Sequence, residues 1–116
     1  MNTLTKEEIE KKEAYEKLHN CEVVVAVLPL DRKRTETATC YFREPTLTEL
    51  DAFMRQDVTN PLLSKQSLLF TLLLGEDAEK KAICANRYAV LASISVIDEI
   101  TSFFNAVIKK NSENTE

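Results

Sequence analysis

The residue types that could do acid–base or nucleophilic chemistry are few in this chain, and they are scattered along it. The only histidine is His19. No serine, cysteine or aspartate stands in a recognisable arrangement with it, as a catalytic base and its nucleophile would require. We place His19 at the end of a solvated helix, where an imidazolium suits the helix dipole. We therefore expect no enzymatic activity, and a small enzyme with an unrecognised site is an open alternative.

Three cysteines are the next candidates, because thiolates serve as nucleophiles and as metal ligands. Cys21, Cys40 and Cys84 are odd in number and too far apart for a C-x-x-C metal pair. If the hairpin assigned below folds about Arg32, Cys40 lies opposite Val24 and not opposite Cys21, which argues against a disulfide. The sequence thus predicts free thiols in a reducing cytoplasm.

Acidic residues stand side by side at Glu76–Asp77 and at Asp98–Glu99. Neighbours in sequence point apart on a helix, so neither pair forms the converging carboxylates of an acid–base site. The single glycine of the chain cannot build a glycine-rich phosphate loop. We predict neither a metal site nor a cofactor.

The composition is that of one globular domain. Of the 116 residues, 44% are hydrophobic and 29% are charged, which argues against a disordered chain. A net charge of −4 repels phosphate backbones, and the one basic cluster, Arg32–Arg34, falls in a turn, so nucleic acid is not an expected partner. The longest apolar segment, residues 62–74, is interrupted by polar residues and too short to span a membrane. Because the charged residues 1–20 contain no apolar stretch typical of a signal peptide, we expect a soluble, cytoplasmic protein.

Sequence patterns place a helix and then a β-hairpin in the first part of the chain. Thr5 and Glu8 form a capping box that begins a helix with only a thin apolar stripe. A β-branched run follows Cys21, Pro29 ends it, and a second strand continues with period-two alternation. We assign the hairpin to residues 21–43 and expect both of its edges to be potentially free.

Helical signals follow the hairpin. Thr46 and Glu49 form a second capping box. The helix that they open carries an apolar face made of Leu47, Leu50, Phe53, Met54 and Val58. Asn60–Pro61 opens the next helix, which we end at Gly75. A break at Asn86–Arg87 divides the remaining region into a short helix and a long one.

The predicted fold class is therefore α+β, with an N-terminal helix, a β-hairpin and then a small bundle of three to four helices. Residues 1–20 are assigned to a solvated helix and residues 21–110 to a single domain, with the hairpin at 21–43 and the bundle at 46–110. Residues 111–116 are assigned to a polar tail.

One segment resembles a known family. The strand end and turn at residues 41–46, YFREPT, run straight into a helix that begins LTEL. This order resembles the tail assembly chaperones of long-tailed bacteriophages, in which a short hairpin ends in an aromatic-Arg-x-Pro-Thr turn before a helical bundle. The resemblance covers the chain from about Glu22 to Ile108.

The resemblance implies a non-enzymatic role in tail assembly, in a bacterial host or prophage setting. Members of the family bind the long, hydrophobic tape measure protein and keep it soluble while tail tube subunits polymerise around it. The implied partners are the tape measure protein and the tail tube protein, together with self-association.

Apolar residues on the hairpin and on the third helix are the candidate binding surface. The candidates are Val23, Val25, Val27, Leu69, Phe70 and Leu73. The alternative is that these side chains belong to the core, because large apolar residues are buried by default. We expect Arg43 to pair locally with a carboxylate. A second hypothesis for function is a small homodimeric regulatory or antitoxin-like module that associates through the hairpin or the C-terminal helix.

Overall fold

A computed structural model describes residues 3–102 and residue 109. Within them, one helix precedes a three-stranded antiparallel sheet and four further helices, which confirms the predicted α+β fold class. The elements are α1 (Lys6–His19), β1 (Val23–Pro29), β2 (Thr37–Arg43), α2 (Leu47–Thr59), α3 (Pro61–Leu72), β3 (Leu73–Leu74), α4 (Asp77–Cys84) and α5 (Arg87–Ser102). The predicted polar tail and the final part of the predicted bundle lie outside the described residues.

Both predicted capping boxes are confirmed. At the start of α1, the Thr5 hydroxyl accepts the Glu8 N–H at 3.2 Å, and the Glu8 carboxylate accepts the Thr5 N–H at 2.9 Å. Thr46 and Glu49 repeat the arrangement at the start of α2. Each box satisfies helix N–H groups that have no partner within the helix, and such a cap contributes about 1 kcal/mol.

The hairpin register differs from the predicted one. Cys40 lies opposite Ala26, and Val24 lies opposite Phe42. The strand pairing continues into the loop, where the Leu30 N–H donates to the Glu36 carbonyl at 2.8 Å, so the hairpin is centred one residue later than expected. Moving the centre by one residue shifts the cross-strand partner of each residue by two positions. Because side chains alternate between the two faces with a period of two, every side chain keeps its predicted face. All three cysteines are free, as predicted.

Helices cover the two faces of the sheet. On one face the Tyr15 ring of α1 lies 5.6 Å from the ring of Tyr41, while α1 itself contributes no buried residue. The other face carries Leu28 and Phe42, which pack with α3 and α5. The helical residues buried in this core are Leu68, Leu69, Leu72, Ala89, Val90, Ile97 and Ile100. α1 covers its face only in part, since Val27 on that face is 54% exposed, whereas the opposite face belongs to the core.

A third strand replaces the predicted end of α3. We expected the helix to continue to Gly75, but it ends at Leu72, and Leu73 and Leu74 pair antiparallel with Phe42 and Tyr41 of β2. Hydrogen bonds to the otherwise unpaired backbone groups at the edge of β2 stabilise this strand more than a further half turn of helix would. Gly75 has a φ of +137°, a value that L side chains rarely adopt, and it lets the chain turn from β3 towards α4.

The predicted break between the last two helices is confirmed. α4 ends at Cys84 and α5 begins at Arg87. Between them the Asn86 side-chain oxygen accepts the N–H groups of Tyr88 and Ala89, at 2.9 and 3.1 Å. Asn86 thus caps the start of α5.

An ion pair joins the sheet to the helical layer. The Arg43 guanidinium donates to both carboxylate oxygens of Glu49, at 2.9 and 2.7 Å, and also to the carbonyls of Glu44 and Thr71. This confirms the expected local pairing of Arg43. The hydrogen bonds from Arg43, together with that from the Thr46 N–H, lower the pKa of Glu49 from 4.5 to about 2, against an opposing effect of burial.

The low pKa of Glu49 makes the stability of the fold depend on pH. Because the folded carboxyl holds its proton less tightly than the unfolded one, its contribution is complete above about pH 5 and is lost as the pH falls towards 2. Glu49→Gln keeps a side chain that can close the capping box but removes the charge. We expect its free energy of unfolding at pH 7 to fall by about 2 kcal/mol, with a smaller further loss on acidification than in the wild type. Urea unfolding at several pH values measures both quantities, and parallel pH profiles for the two proteins would contradict the prediction.

Candidate functional site

The six predicted binding residues do not form one surface. Val23, Leu69 and Leu73 are each no more than 2% exposed and belong to the interior of the folded chain. Val25 and Phe70 are half-buried. Phe70 lies beneath the Lys80 ammonium, which is 4.5 Å from the ring centroid. Of the six, Val27 alone presents more than half of its side chain, 54%, to solvent.

The largest exposed apolar surface on a single described helix lies instead on α2. Leu47, Met54 and Val58 are 83%, 66% and 85% exposed. Their positions are separated by seven and four residues, so they form one stripe along the helix. We call this the α2 stripe. The sequence pattern contains it, but periodicity alone does not reveal that it points away from the core.

Polar contacts hold the opposite side of α2 against α3. The Ser64 hydroxyl, itself 1% exposed, donates to the Phe53 carbonyl at 2.9 Å. The Lys65 ammonium lies 3.2 Å from the Asp57 carboxylate. α2 contributes no buried residue of its own. These polar contacts, the Arg43–Glu49 pair and the packing of the half-buried Phe53 against the core orient the helix, while the apolar stripe faces solvent.

A groove adjoins the α2 stripe at the C-terminal end of the described part of α5. It encloses about 510 Å³ and is lined mainly by apolar side chains of α2. The lining consists of Leu47, Leu50, Asp51, Phe53, Met54, Asp98, Thr101 and Ser102. We call it the α2 groove. Its rim is acidic: Asp51 pairs with Arg55 at 2.9 Å, and Asp98 makes no ion pair within residues 3–102.

A second cleft, of about 590 Å³, contains the residues that could do chemistry. It lies between α1, the outer edge of β2 and α4, and both His19 and Cys40 line it. The His19 ring stacks obliquely on Tyr15, with centroids 6.3 Å apart. Burial raises the pKa of the Cys40 thiol to about 11, so the group is protonated at neutral pH and is a poor nucleophile. No described acid or base activates it, and no cluster of metal-ligating side chains occurs in the described part of the chain.

We expect the thiols to react at different rates in the folded protein. Cys40 is 2% exposed and stays protonated, so an alkylating reagent at pH 8 should leave it unmodified while Cys21 reacts. After denaturation all three thiols should be modified. Mass spectrometry of digested samples measures the extent at each site. Modification of Cys40 as rapid as that of Cys21 in the folded chain would show that the interior around β2 is open.

None of the helices between residues 3 and 102 combines the length and the apolar character needed to cross a membrane.

Comparisons with known proteins bear on the fold. No family model matches the chain, and the curated proteins contain no match to it. Among solved structures, the chain is similar to an uncharacterised protein from Bacillus stearothermophilus, with a TM-score of 0.60 and 15% sequence identity. The match covers 84% of this chain and 98% of that one. At this level of identity the similarity shows that the two chains share a fold.

Proposed function

We propose that the protein is a non-enzymatic chaperone that binds an apolar helix of a client protein, and that the client is the tape measure protein of a phage or prophage tail. The observation that carries the proposal is the α2 stripe of Leu47, Met54 and Val58, which stands exposed beside the α2 groove. Contiguous exposed apolar surface of this kind marks sites of protein association.

The shape of the surface favours a helical client. A groove next to a row of apolar side chains accepts an amphipathic helix, which inserts residues spaced three and four apart along its own axis. Complete burial of a leucine, methionine or valine side chain contributes roughly 1.5–3 kcal/mol, so the three stripe residues suffice for appreciable affinity. A long helical client with exposed apolar faces gains solubility when such surfaces are covered.

Charge adds a preference for clients with basic flanks. Asp51 and Asp98 stand at the rim of the α2 groove, and the whole chain carries a net charge of −4. Lysine or arginine residues beside the apolar row of a client helix would meet Asp98, which makes no ion pair within residues 3–102, and would increase the rate of association. The remaining negative charge keeps the loaded complexes from aggregating.

The segment that resembles the tail assembly chaperones is also the segment that positions α2. Residues 41–46 form the end of β2 and the turn into α2, and they include Arg43, whose pairing with Glu49 fixes the first turn of the helix. The resemblance and the exposed surface thus concern one structural unit. The resemblance supports the tape measure protein as the client and the tail tube protein as a further partner.

Co-expression with a candidate tape measure protein tests the proposal. The wild type should move that protein from the pellet to the supernatant. Met54→Glu places a charge on the α2 stripe at a position that is 66% exposed, so the variant should fold normally. We expect its affinity for the client to fall by about tenfold or more, because a buried methionine contact is replaced by an unpaired carboxylate.

Thr48→Glu is the matched control. It adds the same charge to the same helix, at an exposed residue outside the stripe, and it should solubilise the client as the wild type does. Circular dichroism and thermal unfolding of both variants verify that the fold is intact. Equal solubilisation by folded Met54→Glu would exclude the α2 stripe as the client site.

A further inference from the structure

Strand β1 forms one edge of the sheet, and half of its backbone groups point away from β2. The strand order is β1-β2-β3, so β1 has a neighbour on one side only. Leu30 donates its N–H to Glu36 across the hairpin. Because inward and outward groups alternate along an antiparallel strand, the N–H and C=O groups of Val25 and Val27 face outwards.

Both ends of this edge are closed to further pairing. The outward N–H of Val23 donates to the Glu16 carboxylate of α1 at 3.0 Å. Pro29, which shares the same orientation, has no N–H group. Within residues 3–102, no hydrogen bond occupies the N–H of Val25 or of Val27. The free donors of the edge are therefore two neighbouring outward residues in the middle of β1.

A groove of about 610 Å³ runs along the edge and leaves room for another strand. The start of α1 forms one wall, and α5 forms the other with the small side chains of Ala92 and Ser95. Val25 and Val27 line the floor, and Val27 is 54% exposed there. An approaching strand would find both hydrogen-bonding groups and apolar side chains.

We propose that this edge pairs with β1 of a second copy of the chain, antiparallel and about a two-fold axis through Ala26. In this register Val25 lies opposite Val27 of the partner subunit, and the reciprocal pair exchanges the same backbone hydrogen bonds. The two sheets of three strands become one continuous sheet of six. Cross-strand valine pairs cover the exposed side chain of Val27, and the small Ala26 side chains meet at the axis, where strands approach closely.

The ends of the edge select a second copy as the occupant. The same register places Val23, whose N–H is occupied by Glu16, opposite the partner's Pro29, which lacks one. Pairing thus stops at both ends without leaving a donor that needs a partner. The edge is complementary to itself in length as well as in hydrogen bonding.

Charge selects the antiparallel direction. The exposed Glu22 precedes β1, and the exposed Arg32, Lys33 and Arg34 follow it in the hairpin loop. No ion pair within residues 3–102 involves any of these four residues. Antiparallel pairing brings Glu22 of each copy towards the basic loop of the other, whereas parallel pairing would place like charges together.

Val27→Pro tests the proposal directly. Proline at this position removes an outward N–H and leaves the hydrogen bonds between β1 and β2 in place, as Pro29 does two residues later. We expect the full-length wild type to be a dimer in sedimentation experiments. The variant should keep the same circular dichroism spectrum while its dimer dissociation constant rises by about tenfold or more.

Val27→Thr is the control, because it keeps the N–H group and the β-branched shape, and it should dimerise as the wild type does. Hydrogen exchange provides an independent measurement: the amides of Val25 and Val27 should be protected in the dimer and should exchange rapidly after dilution to the monomer. A monomeric wild type, a Val27→Pro dimer of unchanged affinity, or protection of these amides only when a client strand is added would each overturn the proposal.

The proposed dimer and the proposed client site can be tested independently of each other. α2 packs against α3, whereas β1 packs against α1, β2 and α5. Met54→Glu should therefore leave the dimer intact, and Val27→Pro should leave the α2 stripe available to the client.

Discussion

The bidentate ion pair between Arg43 and Glu49 is the interaction on which the arrangement of this fold depends. It joins the last residue of β2 to the first turn of α2, and a further hydrogen bond from Arg43 to the Thr71 carbonyl reaches the end of α3. Glu49 also accepts the Thr46 N–H in the capping box. One carboxylate thus begins a helix and fixes its direction relative to the sheet. Because the two side chains are only 20% and 25% exposed, solvent screens the pair less than it would a surface contact.

This mode of attachment explains why α2 can expose an apolar stripe. Most amphipathic helices are oriented by burying their apolar face, and the stripe is then unavailable to a partner. α2 buries only one large apolar side chain against the core, that of the half-buried Phe53. Polar contacts supply the rest of its attachment: Arg43 at its start, and Ser64 and Lys65 of α3 along its length. The helix therefore keeps its position while Met54 and its stripe neighbours stay in contact with water. A client helix could bind there without displacing any part of the core.

The sheet is governed by a different constraint. One face packs against α3 and α5, and the other is partly covered by α1, so unsatisfied backbone hydrogen-bonding groups occur only at the edges. β3 occupies part of the β2 edge, and Glu16 and Pro29 close the two ends of the β1 edge. The open stretch between them is short, which limits pairing to a strand of matching length and register. The proposed client site and the proposed dimer site thus use apolar burial and backbone hydrogen bonds respectively, on separate elements.

The sequence by itself determined the local features of this protein. Capping boxes at Thr5 and Thr46, the end of β1 at Pro29 and the break at Asn86–Arg87 depend on neighbouring residues, and each is present where the sequence indicated. Even the pairing of Arg43 could be anticipated, because its acidic partner follows within the next helical turn. These interactions act over a few residues, so the chain carries all the information that they need.

Only the tertiary structure decided the features that join distant residues. Leu73 and Leu74 read as helix in sequence but pair with β2, about thirty residues away, because that edge offers hydrogen bonds that the last half turn of α3 cannot match. Most importantly, hydrophobic periodicity predicts that Leu47, Met54 and Val58 lie on one side of a helix, but it does not predict whether that side packs against another element. Which side meets the core depends on the contacts that orient α2, and those exist only in the folded chain.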